Sequence, residues 1–262
     1  MLTSLPYDND ETLSLLMADG IKDPRYPATS AEFLSIAGIT PTALYLFNEA
    51  SGDVLDKVGS ANLTAVNTPT FGYVAEGRKG IHYDGATDAH RADVNAPASL
   101  SFITGCVFKL ASDLNVLSGV FGRMDGSAAD GYAAYVFANV TPAYPTLLVR
   151  DTGSNSTQLF HLQAQDWFTN YPGLLLWQVQ VDRAANKVRS RISKRGVYVD
   201  QQEASIVGFG ALSGGAAQTF GTGQYCAAIS GGLSSHYLYY ATGAQTEGST
   251  AMATIARRLG WE

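Results

Sequence analysis

From Pro41 onward the chain is built of short apolar runs of period two, broken every few residues by Gly, Asn, Asp or Ser. Side chains of a strand alternate between two faces, so this period fits half-buried β-strands, and turn residues at such short intervals fit a sandwich or barrel. The runs at 43–47, 80–83, 100–110, 119–123, 132–138, 146–149, 174–181, 187–194, 205–209 and 224–229 are the candidate strands. Composition agrees: 27 Gly accompany 14 Tyr and 11 Phe in 262 residues, a mixture suited to strands joined by tight turns.

Two stretches depart from this period. Residues 1–40 carry two short helical patterns separated by Lys22-Asp23-Pro24-Arg25-Tyr26-Pro27. In the first, Asp8, Asn9 and Asp10 stand as caps, Leu13, Leu16 and Met17 share one face, and Gly20 stops the helix. In the second, Thr29 and Glu32 have capping-box spacing ahead of Phe33, Leu34 and Ile36, and Gly38 stops it. Helices this short are unstable alone, so Leu13, Leu16, Met17 and Phe33 must dock either on this chain's own sandwich or on a partner. The other stretch is 249–259, a C-terminal helix with Ser249 as cap, Arg257 and Arg258 in the last turn, and Gly260 as stop. The division expected is an arm, 1–40, and a sandwich, 41–262.

Charge narrows the partners. With 17 Lys and Arg against 23 Asp and Glu, the net charge is −6, which gives no general attraction to nucleic acid or to an anionic membrane. The longest stretch without Asp, Glu, Lys or Arg, 204–246, is interrupted by glycines throughout and is no membrane helix. MLTSLPYDNDE places acids where an export signal has a basic region, so the chain is expected to stay in the cell that makes it or to leave with something larger. Cys106 and Cys226 both lie in strand-like sequence and read as small buried thiols, with a disulfide as the alternative.

The segments from Pro41 together resemble the laminin-G-like branch of the concanavalin A-like lectin and glucanase superfamily. The resemblance rests on Ala43-Leu44-Tyr45-Leu46-Phe47-Asn48-Glu49-Ala50-Ser51-Gly52, on Gly80-Ile81-His82-Tyr83-Asp84-Gly85, on Ser99-Leu100-Ser101-Phe102 through Leu110, and on Trp177-Gln178-Val179-Gln180-Val181-Asp182. Phe108 stands where many relatives have tryptophan, and Lys194-Arg195-Gly196 stands where they have a Tyr-x-Asn-Gly turn. The resemblance implies an all-β, two-sheet antiparallel jelly-roll sandwich, here with a short helical N-terminal arm and a C-terminal helix. It spans enzymes, lectins and inert assembly modules, so fold does not give function.

Glucanases of that superfamily place their acids on one strand face as Glu-x-Asp-x-Glu or a near variant. None of the seven glutamates here has such companions. Glu49, Asp53 and Asp56 cluster in a turn, where carboxylates ordinarily satisfy backbone N–H groups. His82, His90, His161 and His236 show no metal-ligand spacing, Gly-x-Ser-x-Gly is absent, and the glycines at 208, 210 and 214 read as turns. Asn62, Asn139 and Asn155 match the glycosylation pattern by chance. No cofactor is expected; the resemblance makes calcium at Asp84, Asp88, Asp125 and Asp130 the site to inspect, although calcium needs six to eight oxygens.

Two kinds of surface remain. Tyr132, Tyr135, Tyr144, Trp167 and Tyr171 ordinarily fill a core, but Tyr132, Trp167 and Tyr171 at an exposed rim would stack on sugar rings, with Asp125 or Arg150 bonding the hydroxyls. Six of the 17 basic residues lie between Arg183 and Arg195; Arg189 and Arg191 share one strand face, either solvated or docked on an acidic partner. The expectation is a non-enzymatic structural or attachment component of a bacteriophage virion (a head decoration, fibre or tail protein), made in the bacterial cytoplasm. Its partners would be other virion proteins or a second copy, engaged through the arm, and surface glycans, with neither nucleic acid nor membrane. The alternative is a free carbohydrate-binding module.

Overall fold

The computed structural model describes residues 27, 29–76, 78–84, 89–92, 101–110, 118–124, 130–137, 143–163, 167–212, 218–221, 234–244 and 248–262. Two antiparallel sheets face each other. Sheet I runs in the order β13 (Val197–Ser205), β12 (Lys187–Lys194), β11 (Leu174–Asp182), β6 (Phe102–Leu110), β15 (Ser234–Ala244), β4 (Arg78–Asp84), β3 (Thr70–Ala75), with β1 (Pro41–Tyr45) also pairing with β15. Sheet II runs β10 (Ser156–Phe160), β9 (Tyr144–Arg150), β8 (Gly131–Phe137), β7 (Ser118–Met124), β14 (Gln218–Gly221), β5 (Ala89–Ala92), β2 (Thr64–Val66). The all-β sandwich with helices flanking its strands is therefore as expected.

Alternation along the strands decides what each face buries. On β11, Leu175, Trp177, Val179 and Val181 point into the space between the sheets, where they meet Phe102, Phe108, Phe121, Tyr132 and Leu147. Rings from the two sheets interlock there: Phe121 stands edge-on to Trp177 at 5.9 Å between centroids, and Phe102 lies 5.7 Å from Tyr132. Such pairs add about 0.5–1.5 kcal/mol beyond the area they bury.

The opposite residues of β11, Leu174 and Leu176, face outward and are buried too, because helices cover them. Helix α1 (Ser30–Ala37) and helix α3 (Ala251–Arg258) lie on sheet I, and Phe33, Ala37, Met252, Ile255, Leu259 and Trp261 form a second cluster with Leu44, Leu46, Ile103 and Val107. This double cover is why β11 is buried at every position. Phe33, only 1% exposed, is part of this chain's own packing; as a residue for docking a partner it is corrected. Leu13, Leu16 and Met17 lie outside the described residues.

Local signals set both helices. Thr29 caps α1, its Oγ1 accepting from Glu32 N at 3.2 Å, and Gly38 ends it in the left-handed region at φ 66°. Helix α3 starts two residues later than expected, after Thr250. Gly260 ends it at φ 74°, with Gly260 N–H bonded to Arg257 O and Trp261 N–H to Ala256 O. That paired bond pattern is a Schellman stop, and it turns Trp261 under the helix into the cluster. Arg258 Nη1 donates to Ala37 O, joining the two helices. No helix among the described residues is long and apolar enough to cross a membrane.

Three sequence expectations need revision. The run 205–209 is a turn rather than a strand, its place taken by β13, which ends at Ser205. The strands β2, β3, β5, β10, β14 and β15 were not expected at all, nor was β13 before Ser205. The run 224–229 lies outside the described residues, as does Cys226. Cys106 is fully buried and free, and burial pushes its thiol pKa well up, so it is an inert core residue.

Candidate functional site

The outer face of sheet I turns polar beyond the helices. Gln178, Gln180 and Asp182 on β11 continue the outward row of Leu174 and Leu176, and register sets Gln180 beside Arg189 and Gln178 beside Arg191 on β12. On β13, Glu203 pairs with Arg189 and Gln201 with Arg191. Arg189 donates through Nε to Glu203 at 2.6 Å and through Nη1 to Gln180 at 3.1 Å and Asp182 at 3.2 Å. Lys187 reaches the other oxygen of Glu203 at 2.9 Å. Hydrogen bonds from Lys187 foremost, then Arg189, hold the Glu203 carboxyl below its usual range against the opposing effect of burial.

Arg191 is held from the C-terminal side: Glu262 accepts its Nε at 2.7 Å and its Nη2 at 2.5 Å, a bidentate pair, while Gln201 accepts Nη1 at 2.7 Å. Ser193 donates to the same Glu262 carboxylate. The guanidinium then lies 4.4 Å from the ring centroid of Tyr198. Arg189 and Arg191 do share a face, as the spacing implied. The expectation that they await an acidic partner is corrected, because Asp182, Glu203 and Glu262 of this chain already neutralise them.

The residues expected to bind sugar do not converge. Tyr132 and Trp167 are 2% and 1% exposed, Tyr132 in the inter-sheet core and Trp167 on the short helix α2 (Trp167–Asn170), where its Nε1 donates to His161 O. Neither presents a ring to solvent, so both are corrected as stacking platforms; each fills the core because apolar area this large is most favourably buried. Tyr171 packs on Trp167 at 4.7 Å and is half-buried, Arg150 sits half-buried at the end of β9, and Asp125 lies outside the described residues.

The acidic turn behaves as its sequence suggested. Asp56 Oδ1 accepts from the backbone N–H groups of Leu44, Val58 and Gly59, Glu49 accepts from Leu55 N and Lys57 Nζ, and Asp53 accepts from Ala65 N. Asn62 accepts from Asp56 N, and Asn155 donates its side-chain amide to Asp151, so both amides are engaged within the fold. Of the calcium candidates, Asp88, Asp125 and the side chain of Asp84 lie outside the described residues, and Asp130 sits at the start of β8. Among the described residues no group of three or more His, Cys, Asp or Glu side chains is placed to hold a metal ion.

A constellation that the sequence reading missed lies at the edge where β10 meets β12 and β13. His161, just past the end of β10, has Nδ1 2.8 Å from Asp200 Oδ2 on β13 and Nε2 2.7 Å from Ser190 Oγ on β12. Trp177 Nε1 donates to the same Ser190 Oγ at 2.8 Å. A carboxylate only accepts, so His161 carries its proton on Nδ1, its Nε2 accepts from the Ser190 hydroxyl, and that hydroxyl oxygen accepts from Trp177. This is the bond order of a Ser–His–Asp triad. Yet Ser190 and His161 are 0% exposed. A nucleophile needs its target carbon about 3–3.5 Å away, and a sealed Ser190 cannot receive one. The relay instead ties sheet I to sheet II through a chain of satisfied buried bonds.

Its ionisation has a measurable consequence. Burial lowers the His161 pKa below the usual imidazole value, outweighing the upward pull of Asp200. For Asp200 burial acts upward, but the bonds from His161 and Gln202 win and hold it low. As pH falls below about 6.5, the unfolded chain binds a proton at this histidine that the folded chain refuses, so stability falls until the lower folded value is passed. The slope cannot exceed about 1.4 kcal/mol per pH unit for one proton. The stability gap between wild type and His161→Gln, from urea unfolding at pH 7.5 and pH 5, is expected to narrow at the lower pH. A constant gap would show that His161 does not titrate differently on folding.

No protein-family model matches the sequence, and no curated protein matches it. Among solved structures the fold is similar to the Botulinum neurotoxin serotype D binding domain (TM-score 0.60, 9% identity, 85% of this chain and 52% of that chain). It is similar also to the serotype D ligand binding domain solved in complex with N-acetylneuraminic acid (0.62, 10%, 85% and 52%). A third is the binding domain of Paraclostridial Mosquitocidal Protein 1 (0.57, 12%, 84% and 52%). At these identities the likeness is one of fold, a β-sandwich, and the chain spans about half the length of those domains.

Proposed function

We propose that this protein is a non-enzymatic attachment module that recognises surface glycans, built on a sandwich of the concanavalin A-like, laminin-G-like kind. The observation that carries the proposal is that the reactive constellations among the described residues are spent on the fold. The Ser190–His161–Asp200 relay is sealed, Glu49, Asp53 and Asp56 bond backbone N–H groups, and Asp182, Glu203 and Glu262 are paired with arginines. What such a sandwich offers is surface, and the three similar structures named above are binding domains, one of them solved in complex with N-acetylneuraminic acid.

We further propose that the module works in a bacteriophage virion, made in the bacterial cytoplasm and held among other virion proteins. That placement rests on the family resemblance and on the N-terminal helical pattern. The test is a glycan array probed with the full chain, with product analysis of every glycan retained. Retention of a defined glycan group with no cleavage is expected; an array without retention, or release of shorter sugars, would overturn the reading.

A further inference from the structure

We propose that Tyr198, at the start of β13 on the outer face of sheet I, is the stacking platform for a neutral pyranose ring. The proposal rests on the glycan-binding reading above and gives it a site and a sugar class. Tyr198 is 48% exposed, as a ring is when one face is covered and the other is open. The covered face lies against Arg191, whose carbon Cζ is 4.4 Å from the ring centroid. That guanidinium is fixed in turn by two bonds from Glu262 and one from Gln201.

An exposed tyrosine ordinarily loses side-chain freedom when a ligand orders it, which subtracts from affinity. Here the ring is seated on a support that is itself clamped by hydrogen bonds, so that ordering precedes the ligand. The open face is electron-rich and suits the C–H-bearing face of a pyranose. Arg191 links the ring to two polar side chains, Gln201 and Glu262. Gln201 uses its Oε1 on Arg191, which leaves its amide N–H groups for sugar hydroxyls, and Glu262 supplies acceptor oxygens.

The sugar class follows from charge. Glu262 neutralises Arg191 at this spot, and the chain carries a net charge of −6, so a sugar carboxylate placed here would meet the Glu262 carboxylate. Tyr73 is the comparison, exposed to 43% but stacked on His82 at 4.9 Å at the other edge of sheet I, far from the Arg191 cluster.

The test uses the full chain, titrated calorimetrically with the neutral glycans that it retains on an array. Tyr198→Ala is expected to weaken binding about tenfold or more, as removal of a central aromatic anchor does. Tyr198→Trp is expected to keep binding, and Tyr73→Ala to leave it unchanged. Tyr198 is exposed, so unchanged thermal unfolding of each variant shows that the fold survives. Equal binding by wild type and Tyr198→Ala would overturn the platform and leave glycan recognition standing at another site. Retention of acidic glycans alone would overturn the neutral class. No retention of any glycan would overturn this proposal together with the reading it rests on.

Discussion

Replacing His161 with alanine is expected to destabilise the folded state by about 3–5 kcal/mol, since several buried polar groups, each costing about 1–3 kcal/mol when unsatisfied, lose a partner at once. Three losses coincide. Asp200 loses the His161 N–H and is left with Gln202 as its side-chain donor, the Ser190 hydroxyl loses its acceptor, and a ring that touches Trp167 and Trp177 edge-on leaves a void. The same change parts sheet I from sheet II along one edge, so proteolysis and amide exchange near β10 and β13 should rise together. Ser190→Ala removes less, since it leaves two neutral groups short of a partner, Trp177 Nε1–H without its acceptor and His161 Nε2 without its donor, and strands no carboxylate. The His161 and Ser190 changes should be non-additive by about 0.5–3 kcal/mol in a double-mutant cycle, because they belong to one network. Urea unfolding of the four proteins measures this. A loss below about 1 kcal/mol for His161→Ala, the size of a surface change, would mean that the relay does not hold the sheets.

Trp261→Ala carries the second large effect, about 3–5 kcal/mol, because a fully buried indole is removed from the cluster under the helices. The eight residues of α3 cannot persist as a helix away from the sheet, so the consequence spreads. Losing the anchor frees Arg258 from Ala37, and with it α1, and it loosens Glu262 from Arg191 and Ser193. Amide exchange should accelerate at 30–37 and 251–258 while the inter-sheet strands keep their protection. Unchanged exchange in both helices would contradict the view that they are held by this one cluster. In a domain whose whole stability is of the order of 5–15 kcal/mol, either substitution consumes a large part of it.

What the sequence revealed follows the strength of local signals. Strands whose alternation is unbroken, such as Lys187–Lys194, are legible to the residue, and α1 is legible because Thr29 and Gly38 mark both its ends. β13 escaped because Asp200, Gln201, Gln202 and Glu203 run together, and such polarity reads as a loop. Only the neighbouring arginines of β12 and the buried His161 make those residues fit an edge strand. β10 escaped for the same reason, its Ser156-Thr157-Gln158 resembling a turn. Ring size could not separate buried from exposed aromatics: Trp167 is buried through its bond to His161 O, and Tyr198 is exposed on the strand whose existence had been missed. The relay joins residues 161, 177, 190 and 200, each unremarkable alone, and no spacing rule points to it. A lone Ser between Arg189 and Arg191 on the inward face of a strand was the single available hint, since a buried hydroxyl needs a partner.

The role proposed for this sandwich is to bind sugar without transforming it. Saturation-transfer NMR on the full chain, with a neutral glycan taken from the array, tests it most directly. Transfer from the protein to the protons of one pyranose face is expected, with the glycan spectrum unchanged after prolonged incubation. Absence of transfer, or the appearance of new reducing-end signals, would contradict it.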